Sequence, residues 1–367
     1  MKVVFLNFYG GHVPRGIETF VHELANRLSA HHQVTVCQCG PALPKAVYQT
    51  EVVDLAVDWS RLNELRHLST LLFFDFSFQN LWRRFYLDYW SRRQKDFAQA
   101  SLKKIAPDTA VVISVGSGWI SLLSRLWCWR HGAKLVIAGQ SGPGWDDRIN
   151  LLCRPDAFVA LTTYQARWAR RNAFGAKVVS IPNGVDLKKF NSQVKPVEIN
   201  LPRPLFLCVA ALEPGKHVDT TIRAVAGLKK GSLLVLGEGP LKESLTKLAA
   251  ELLPGRFRVL SVPHNQIPAY YAAGDVVTMV PPLTESFGIV FLEAMAMGLP
   301  VVTTNDPPRK EIVGKAGLFT DLFDVRQYTA VLKKALKINW GSLPRQQAEK
   351  FSWDKIAAQY DRLFRSL

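Results

Sequence analysis

The sequence has few cysteines and no long apolar run. Its 367 residues include five cysteines without a Cys-x-x-Cys pair, which argues against a disulfide framework or a zinc ribbon. Cys37 and Cys39 lie in the run VTVCQC, where strand alternation explains their spacing better than a metal site does. No run of about eighteen apolar residues is present, and the apolar run at residues 1–6 is too short for a signal peptide. These absences predict a cytoplasmic protein without a spanning helix.

Acidic side chains are also scarce relative to basic ones. There are 30 Asp and Glu residues against 46 Lys and Arg, which gives a formal net charge of +16. Such an excess favours anionic partners: phosphorylated substrates, a membrane surface or nucleic acid. No nucleic-acid-binding motif accompanies the charge, so we expect no nucleic-acid partner. No cluster of His, Asp and Glu has metal-ligand spacing, so no resident metal is expected.

Short β-branched runs alternate with segments of helical period along most of the chain. This alternation predicts an α/β fold with mostly parallel sheets covered by helices. The segment 187–204 is polar and rich in proline, as interdomain linkers are. We therefore predict two Rossmann-like, doubly wound domains, at 1–186 and 205–349, facing a central cleft. A last helix, at about 350–367, is expected to pack back on the first domain. Strands are predicted at 2–8, 33–39, 110–115, 134–138, 157–161, 177–181, 205–211, 232–236, 257–261, 275–280 and 300–304.

The strongest functional signal is the string PLTESFGIVFLEAMAMGLP at 282–300. Ser286 is predicted to cap a helix over 287–297, which would leave the first backbone N–H groups unpaired and able to hold an anion. Glu293 follows Ser286 by two helical turns, about 10 Å along the axis. A diphosphate separates the two sugars of a nucleotide sugar by a comparable distance, so Glu285 and Glu293 could each accept hydroxyl groups from one of them. The predicted anion-binding N–H groups belong to Phe287, Gly288 and Ile289.

This string is similar to the E-x7-E signature of the family 4 glycosyltransferases, which are retaining enzymes with the GT-B fold. Further segments resemble the family in order and spacing: SIPNGVD at 180–186, LGEGP at 236–240, SVPH at 261–264 and YYAAGD at 270–275. The resemblance covers nearly the whole chain. It implies a nucleotide-diphosphate sugar bound mainly by the C-terminal domain and an acceptor bound by the N-terminal domain. It also implies that Glu285 holds the donor sugar, Glu293 the ribose, and Val262 lies beside the nucleotide base.

The family pattern GR-x4-KG is matched only in part by AALEPGKH at 210–217. Lys216 stands at the lysine position, but Ala211 replaces the arginine that would neutralise the leaving diphosphate. Losing one such preorganised cation typically removes about 3 kcal/mol of transition-state stabilisation. The loop GGHVPRGIE at 10–18 resembles the family's GGxE loop, which implies that Gly16 lies near the diphosphate. Arg15, in place of a second glycine, could supply the missing cation, although a surface arginine is an equal alternative.

Gln140 stands where the family often has a histidine beneath the donor sugar. A glutamine can donate and accept hydrogen bonds but cannot act as a base near neutral pH. His12 is the remaining candidate base, and a loop histidine without a role is the plainer interpretation. The family mechanism tolerates this, since the departing phosphate oxygen can take the acceptor proton on the same face. The predicted catalytic residues are therefore Glu285, Lys216 and Gln140, without a metal or other cofactor.

Residues 59–104 break the alternation with nine basic and four acidic residues, and nine aromatics crowd into 73–90. An amphipathic helix of this composition can lie in a membrane interface, with its arginines on anionic head groups. Packing of the aromatics against the first sheet is the alternative. The predicted location is therefore cytoplasmic, with peripheral contact at the inner face of a membrane.

The sequence thus predicts a retaining glycosyltransferase that moves a sugar from a nucleotide sugar to a glycan, a lipid-linked or a small-molecule acceptor. The alternative is a sugar-nucleotide-binding partner subunit with impaired catalysis, which Ala211 and Gln140 would support.

Overall fold

The computed structural model describes residues 1–13, 16–61 and 85–367. It divides the chain into two units, with the division between Asn183 and Gly184 rather than after residue 186. The first unit comprises residues 1–183 and 353–367, and the second comprises residues 184–352. Each unit contains one parallel β-sheet, so the α/β class predicted from the alternating pattern is confirmed.

The first unit is built on a seven-stranded parallel sheet with the order β3-β2-β1-β4-β5-β6-β7. Its central strand β1 pairs with β2 on one side and β4 on the other. The strand order therefore reverses between β1 and β4, which makes the carboxyl ends of these two strands a topological switch point. The strands are β1 (Lys2–Asn7), β2 (Gln33–Gln38), β3 (Gln49–Val52), β4 (Val111–Ser114), β5 (Lys134–Gly139), β6 (Ala157–Ala160) and β7 (Lys177–Ser180).

Helices cover both faces of this sheet because successive residues of its strands point to opposite sides. On one face, α1 and the last helix α13 enclose a core in which Phe20 contacts Trp353 and Tyr360. The last helix therefore belongs to the first unit, although it follows the second unit in sequence. On the other face, four helices enclose a second core. The helices are α1 (Gly16–Leu28), α2 (Tyr89–Lys104), α3 (Trp119–His131), α4 (Trp145–Leu152), α5 (Thr163–Asn172) and α13 (Trp353–Arg365).

The second unit is built on a six-stranded parallel sheet with the order β10-β9-β8-β11-β12-β13. Its strand order reverses between β8 and β11. Its strands are β8 (Leu205–Val209), β9 (Ser232–Leu236), β10 (Phe257–Leu260), β11 (Val276–Thr278), β12 (Val301–Thr304) and β13 (Gly317–Thr320). Its helices are α6 (Val218–Ala226), α7 (Lys242–Leu252), α8 (Ile267–Ala272), α9 (Ile289–Ala296), α10 (Pro307–Val313), α11 (Val325–Ala335) and α12 (Leu343–Ala348).

The segment predicted as a linker, 187–204, packs on the second unit. Phe190 is buried, and its ring lies 6.1 Å from the ring of Tyr271. The backbone N–H of Val197 donates to the carbonyl of Ala269 at 3.1 Å. These contacts explain why the unit begins ahead of this segment.

The aromatic-basic segment 59–104 is described only in part, since residues 62–84 lie outside the described residues. In the described part, Trp90 and Phe97 are buried in the core between the first sheet and its helices. Trp90 is one of the aromatics at 73–90, for which packing on the first sheet was the alternative to membrane contact, and its ring packs against Phe8, Tyr9 and Trp59. Among the described residues, no helix combines the length and the apolar character needed to cross a bilayer.

Candidate active site

The central ion pair of the second unit joins the loops that follow β8 and β11. Lys216 ends a short 3-10 helix after β8, and Glu285 lies in the loop after β11. The Lys216 ammonium donates to the Glu285 carboxylate. Because β8 and β11 are the adjacent strands at which the strand order reverses, this pair lies where doubly wound sheets bind their ligands.

The surroundings of Glu285 keep its carboxylate ionised. Burial alone would raise its pKa, but the charge and hydrogen bond of Lys216, the charge of Arg309 and the backbone N–H of Phe287 together lower it below its ordinary value. An ionised carboxylate here can accept hydrogen bonds from sugar hydroxyls without first losing a proton.

A fully buried arginine holds the Glu285 loop from behind. Arg309 is 0% exposed, and its guanidinium donates to the carbonyls of Glu285 at 2.7 Å and Pro282 at 3.2 Å. Its charge is balanced by Asp306, whose two carboxylate oxygens lie 2.9 Å from Nε. Asp306 also caps α10 by accepting the Arg309 backbone N–H. The buried pair therefore fixes the loop backbone on which Glu285 stands.

Helix α9 begins at Ile289, two residues later than a Ser286 cap would have placed it. Its cap is Gly288, in the left-handed conformation at φ 87°, so the prediction of Ser286 as the cap and of a helix from residue 287 is wrong. A Cβ at Gly288 would also lie 2.6 Å from the Phe291 ring, which restricts this position to glycine. The N–H of Phe287 is directed to the Glu285 carboxylate. Those of Gly288 and Ile289 lie at the start of α9, and their binding of an anion stays a prediction.

Glu293 lies in α9, only 4% exposed, and both its carboxylate oxygens are oriented by neighbours. Tyr271 donates to Oε2 at 3.1 Å, and His264 Nε2 lies 2.9 Å from Oε1. His264 Nδ1 lies 2.8 Å from the ammonium of Lys189. Since an ammonium group only donates, Nδ1 accepts, and the proton of the neutral ring sits on Nε2 and points to Glu293. Each carboxylate oxygen keeps further acceptor capacity for a ligand hydroxyl.

The predicted base-binding residue and the glycine turn lie at the same edge of the second sheet. Val262 is half-buried in the loop after β10, two residues before His264. The turn at 236–240 follows β9 and lies against the backbone of residues 210–212. A Cβ on Gly237 would come within 1.9 Å of the Ala210 carbonyl oxygen, so glycine permits this close approach.

The candidates of the first unit lie after β1 and β5. Gly16 is the first residue of α1, and Arg15 lies outside the described residues. The His12 ring stacks on Trp59 with 4.0 Å between centroids. The Gln140 amide exchanges two hydrogen bonds with the Asn183 amide, at 3.2 and 3.1 Å.

A buried carboxyl lies beside the loop that carries Gln140. Burial raises the pKa of Asp147 to about 7, and nearby Asp146 adds to this, while hydrogen bonds from Asn150 and the Gly142 backbone oppose it. Asn150 donates to Asp147 at 3.2 Å and accepts from Ser121 at 2.7 Å. Asp147 can therefore carry a proton near neutral pH.

Metal ligation finds no support in the described part of the chain, where no group of three or more His, Cys, Asp or Glu residues could hold an ion.

Sequence comparison agrees with this geometry. The family described as "Glycosyltransferase Family 4" matches residues 14–189, and "Glycosyl transferases group 1" matches residues 189–351. A GDP-mannose-dependent α-(1-6)-phosphatidylinositol monomannoside mannosyltransferase of Mycobacterium tuberculosis is 30% identical over 62% of this chain and 69% of its own length. The chain belongs to glycosyltransferase family 4. The Mycolicibacterium smegmatis enzyme of the same name is 30% identical over 55% of this chain, and the match spans 61% of that relative.

Solved structures show that this family 4 enzyme has the GT-B fold. HepE of Anabaena, in complex with UDP, matches with a TM-score of 0.75 at 16% identity over the whole of both chains. Sucrose-phosphate synthase of Thermosynechococcus elongatus matches with a TM-score of 0.73 at 19% identity over 100% of this chain and 98% of its own. These structures support the fold alone, whereas the family match and the named relatives show that the chain is a glycosyltransferase.

Three residues of this glycosyltransferase site were missed in the sequence: Arg309, His264 in its contact with Glu293, and Tyr271. The string NDPPR at 305–309 carries a usable signal, because Asp followed by Pro-Pro predicts a capped helix start. Nothing in that signal indicates that Arg309 turns back to the Glu285 loop, which is 24 residues away in sequence.

Proposed function

We propose that this enzyme transfers a sugar from a nucleotide-diphosphate sugar to an acceptor hydroxyl with retention of anomeric configuration. The observation that carries the proposal is the Lys216–Glu285 pair at the switch point of the second sheet, with Glu293 in the following helix α9. In this assignment Glu285 accepts hydroxyl groups of the donor sugar and Glu293 those of the ribose.

Each residue has a distinct task in the proposed reaction. The Lys216 ammonium stabilises the charge that develops on the leaving diphosphate, together with the N–H groups of Gly288 and Ile289. Val262 is assigned to the base, and Gly16 is assigned to the diphosphate. The glycosidic bond to the phosphate oxygen breaks, the acceptor oxygen bonds to the anomeric carbon on the same face, and the acceptor proton passes to the departing phosphate oxygen. Gln140 orients the donor or acceptor by hydrogen bonds and takes no proton.

GDP-mannose is the first donor to test. The mycobacterial relatives are named as GDP-mannose-dependent, and a 36% identical segment of 103 residues belongs to an O-antigen chain mannosyltransferase of Escherichia coli. A UDP-sugar is the second donor to test. A thermal-shift comparison of GDP and UDP separates the two, because a ligand that binds only the folded state raises Tm.

A lipid-linked hydroxyl is the acceptor we favour, since these relatives are named for transfer to phosphatidylinositol mannoside. Other relatives are named D-inositol 3-phosphate glycosyltransferases, so a soluble acceptor remains to be compared directly. Contact of the segment 59–104 with a membrane at the cytoplasmic face stays a prediction.

The proposed reaction needs no metal, because Lys216 and backbone N–H groups supply the positive charge at the diphosphate. Turnover should persist in excess chelator. Loss of turnover in chelator with recovery on added Mg²⁺ or Mn²⁺ would contradict this.

The alternative is a partner subunit that binds the sugar nucleotide but turns it over poorly. Ala211 removes one cation, and Gln140 is engaged with Asn183. A steady release of free nucleoside diphosphate in the presence of acceptor favours the enzyme. Binding without release favours the subunit.

A further inference from the structure

Helices α3, α4 and α5 form one layer on the first sheet. They connect the successive parallel strands β4, β5, β6 and β7, and right-handed crossovers place such helices on the same side of a sheet. Their inward residues share one core, to which Ile120, Leu151 and Ala166 contribute. The outward faces of the three helices therefore lie on one surface of the first unit.

The outward face of α3 is apolar. Leu122, Leu126 and Trp129 follow one another at four and three positions, which places them on one side of the helix. They are 41%, 50% and 62% exposed. The Arg125 guanidinium carbon lies 4.9 Å from the centroid of the Trp129 ring, so a cation–π contact holds the ring on the helix.

The outward faces of α4 and α5 combine tryptophan, leucine and arginine. Trp145, Arg148 and Leu152 are exposed at spacings of three and four along α4. Helix α5 exposes Arg167, Arg170 and Arg171, and the exposed Phe174 follows its end.

Exposed charge on this surface is of one sign. Residues 119–174 are all described, and six arginines among them are exposed but no acidic residue is. Asp147 is buried, Asp146 accepts from Tyr86 at 2.7 Å, and Asp156 pairs with Arg125 at 2.6 Å. The exposed arginines are Arg130, Arg148, Arg154, Arg167, Arg170 and Arg171.

We propose that the outward faces of α3, α4 and α5 are a docking surface for an anionic lipid bilayer. Arginines are attracted to anionic head groups, while exposed Trp and Leu gain from the interfacial zone beneath them. A nucleic acid fits less well, because Leu122, Leu126 and Leu152 are aliphatic and cannot stack on bases. The surface would bring a sugar-transfer site to lipid-linked acceptors, but the proposal does not depend on the sugar or on turnover.

This surface differs from the segment 59–104. There, Trp90 and Phe97 are already buried in the core, whereas Trp129 and Leu126 are half or more exposed. Substitutions in the two regions therefore distinguish which one contacts lipid.

The test is flotation of the full-length protein with vesicles of phosphatidylcholine alone and with an equimolar mixture of phosphatidylcholine and phosphatidylglycerol. The wild-type protein should float with the anionic vesicles at low salt and be released as salt screens the charges. Replacing Arg167, Arg170 and Arg171 by Gln should weaken binding by roughly a hundredfold, at about fivefold per arginine. The double variant Leu126→Ser, Trp129→Ser should lose the apolar part of vesicle binding, which is the part that salt does not weaken.

Matched controls come from exposed positions of the second unit. Arg258→Gln, Arg326→Gln and Lys333→Gln together remove the same charge, and Phe323→Ser removes an 86% exposed aromatic ring. Both controls should bind as the wild type does. All variants should keep the wild-type Tm and the wild-type Tm shift with GDP or UDP, which separates a failure of docking from a failure of the nucleotide site.

Lipid carrying a brominated acyl chain provides a second readout, because it should quench wild-type tryptophan fluorescence more than that of Trp129→Phe. The proposal is overturned if the wild type stays unbound with anionic vesicles at low salt. It is also overturned if the two surface variants bind like their controls while Arg83→Gln, Arg84→Gln abolishes binding. Poly(U) is the comparison ligand for a nucleic acid. The proposal is also overturned if the Leu126→Ser, Trp129→Ser variant binds vesicles as tightly as the wild type does and the two proteins also bind poly(U) equally.

Discussion

Removing one hydroxyl group, with Tyr271→Phe, tests the assignment of Glu293 to the ribose. Tyr271 is fully buried, and its hydroxyl lies 3.1 Å from Glu293 Oε2 and 3.2 Å from the Val290 carbonyl oxygen. The substitution therefore deletes the hydrogen bond to the carboxylate, together with the contact to Val290, and leaves the ring in place. Among the described residues, His264 would then be the side chain left to hydrogen-bond to the carboxylate.

The expected effect follows from the charge on the acceptor. A hydrogen bond to a charged group contributes about 1.5–3 kcal/mol. If losing this orientation of Glu293 weakens the binding free energy of the nucleoside diphosphate by about 1.4 kcal/mol, its Kd rises about tenfold. Isothermal titration with GDP or UDP, whichever the thermal-shift comparison selects, measures this rise. The 2′,3′-dideoxy analogue should bind the wild type and Tyr271→Phe alike, because it has no hydroxyl groups for Glu293.

The control is Tyr328→Phe. Tyr328 is also a fully buried tyrosine of the second unit, but its hydroxyl contacts Thr221 and Thr278 rather than a site residue. This variant should keep the wild-type Kd. An unchanged Kd in Tyr271→Phe, or an equal loss for the dideoxy analogue, would refute the ribose assignment.

Three further perturbations have definite expected results. Glu285→Ala and Glu293→Ala should each abolish turnover without unfolding the protein, as measured by nucleoside diphosphate release and circular dichroism. Asp306→Asn keeps the α10 cap but leaves Arg309 buried without its counter-charge, so it should destabilise the second unit by about 3–5 kcal/mol and reduce turnover. The folded-state pKa of Asp147 is raised from an ordinary 3.8 to about 7, so the stability that it contributes is lost as pH rises through this window, by roughly 4 kcal/mol in all. Asp147→Asn should remove that decline and be more stable than the wild type above pH 7 in urea unfolding followed by tryptophan fluorescence.

Controls for these variants use exposed acids. Glu251→Ala should keep full turnover, and full turnover in both Glu285→Ala and Glu293→Ala would contradict the site. Asp354→Asn breaks an ion pair with Arg27 in which Asp354 is 78% exposed, so it should change stability little. An Asp306→Asn effect no larger than this would contradict the role of Arg309. A decline with pH that persists in Asp147→Asn would contradict the burial argument.

The local pattern predicted the sheet elements well because parallel strands are short continuous apolar runs bounded by turns. Strand β9 has its predicted bounds, 232–236. The strands that the pattern missed, β3 and β13, have only four residues each and lie at sheet edges, where half-burial weakens the signal.

The candidate site could be predicted where its residues are near in sequence. Glu285 and Glu293 lie in one recognisable string at 282–300, whereas Ser286 was misjudged because a left-handed Gly288 caps α9 instead. Arg309 and Tyr271 were beyond reach, since their roles depend on which loops the sheet order brings together. For the same reason, composition left both membrane contact and core packing open for Trp90, which tertiary packing buries.

The most direct test of sugar transfer is proton NMR of a reaction that contains GDP-mannose or a UDP-sugar with a phosphatidylinositol mannoside or D-inositol 3-phosphate as acceptor. The anomeric proton reports both consumption of the donor and the configuration of the product. We expect an α-linked donor to give an α-linked product with stoichiometric nucleoside diphosphate, and Glu285→Ala to give neither. A β-linked product would contradict retention, and nucleotide binding without any glycoside across these donors and acceptors would contradict the proposed transfer.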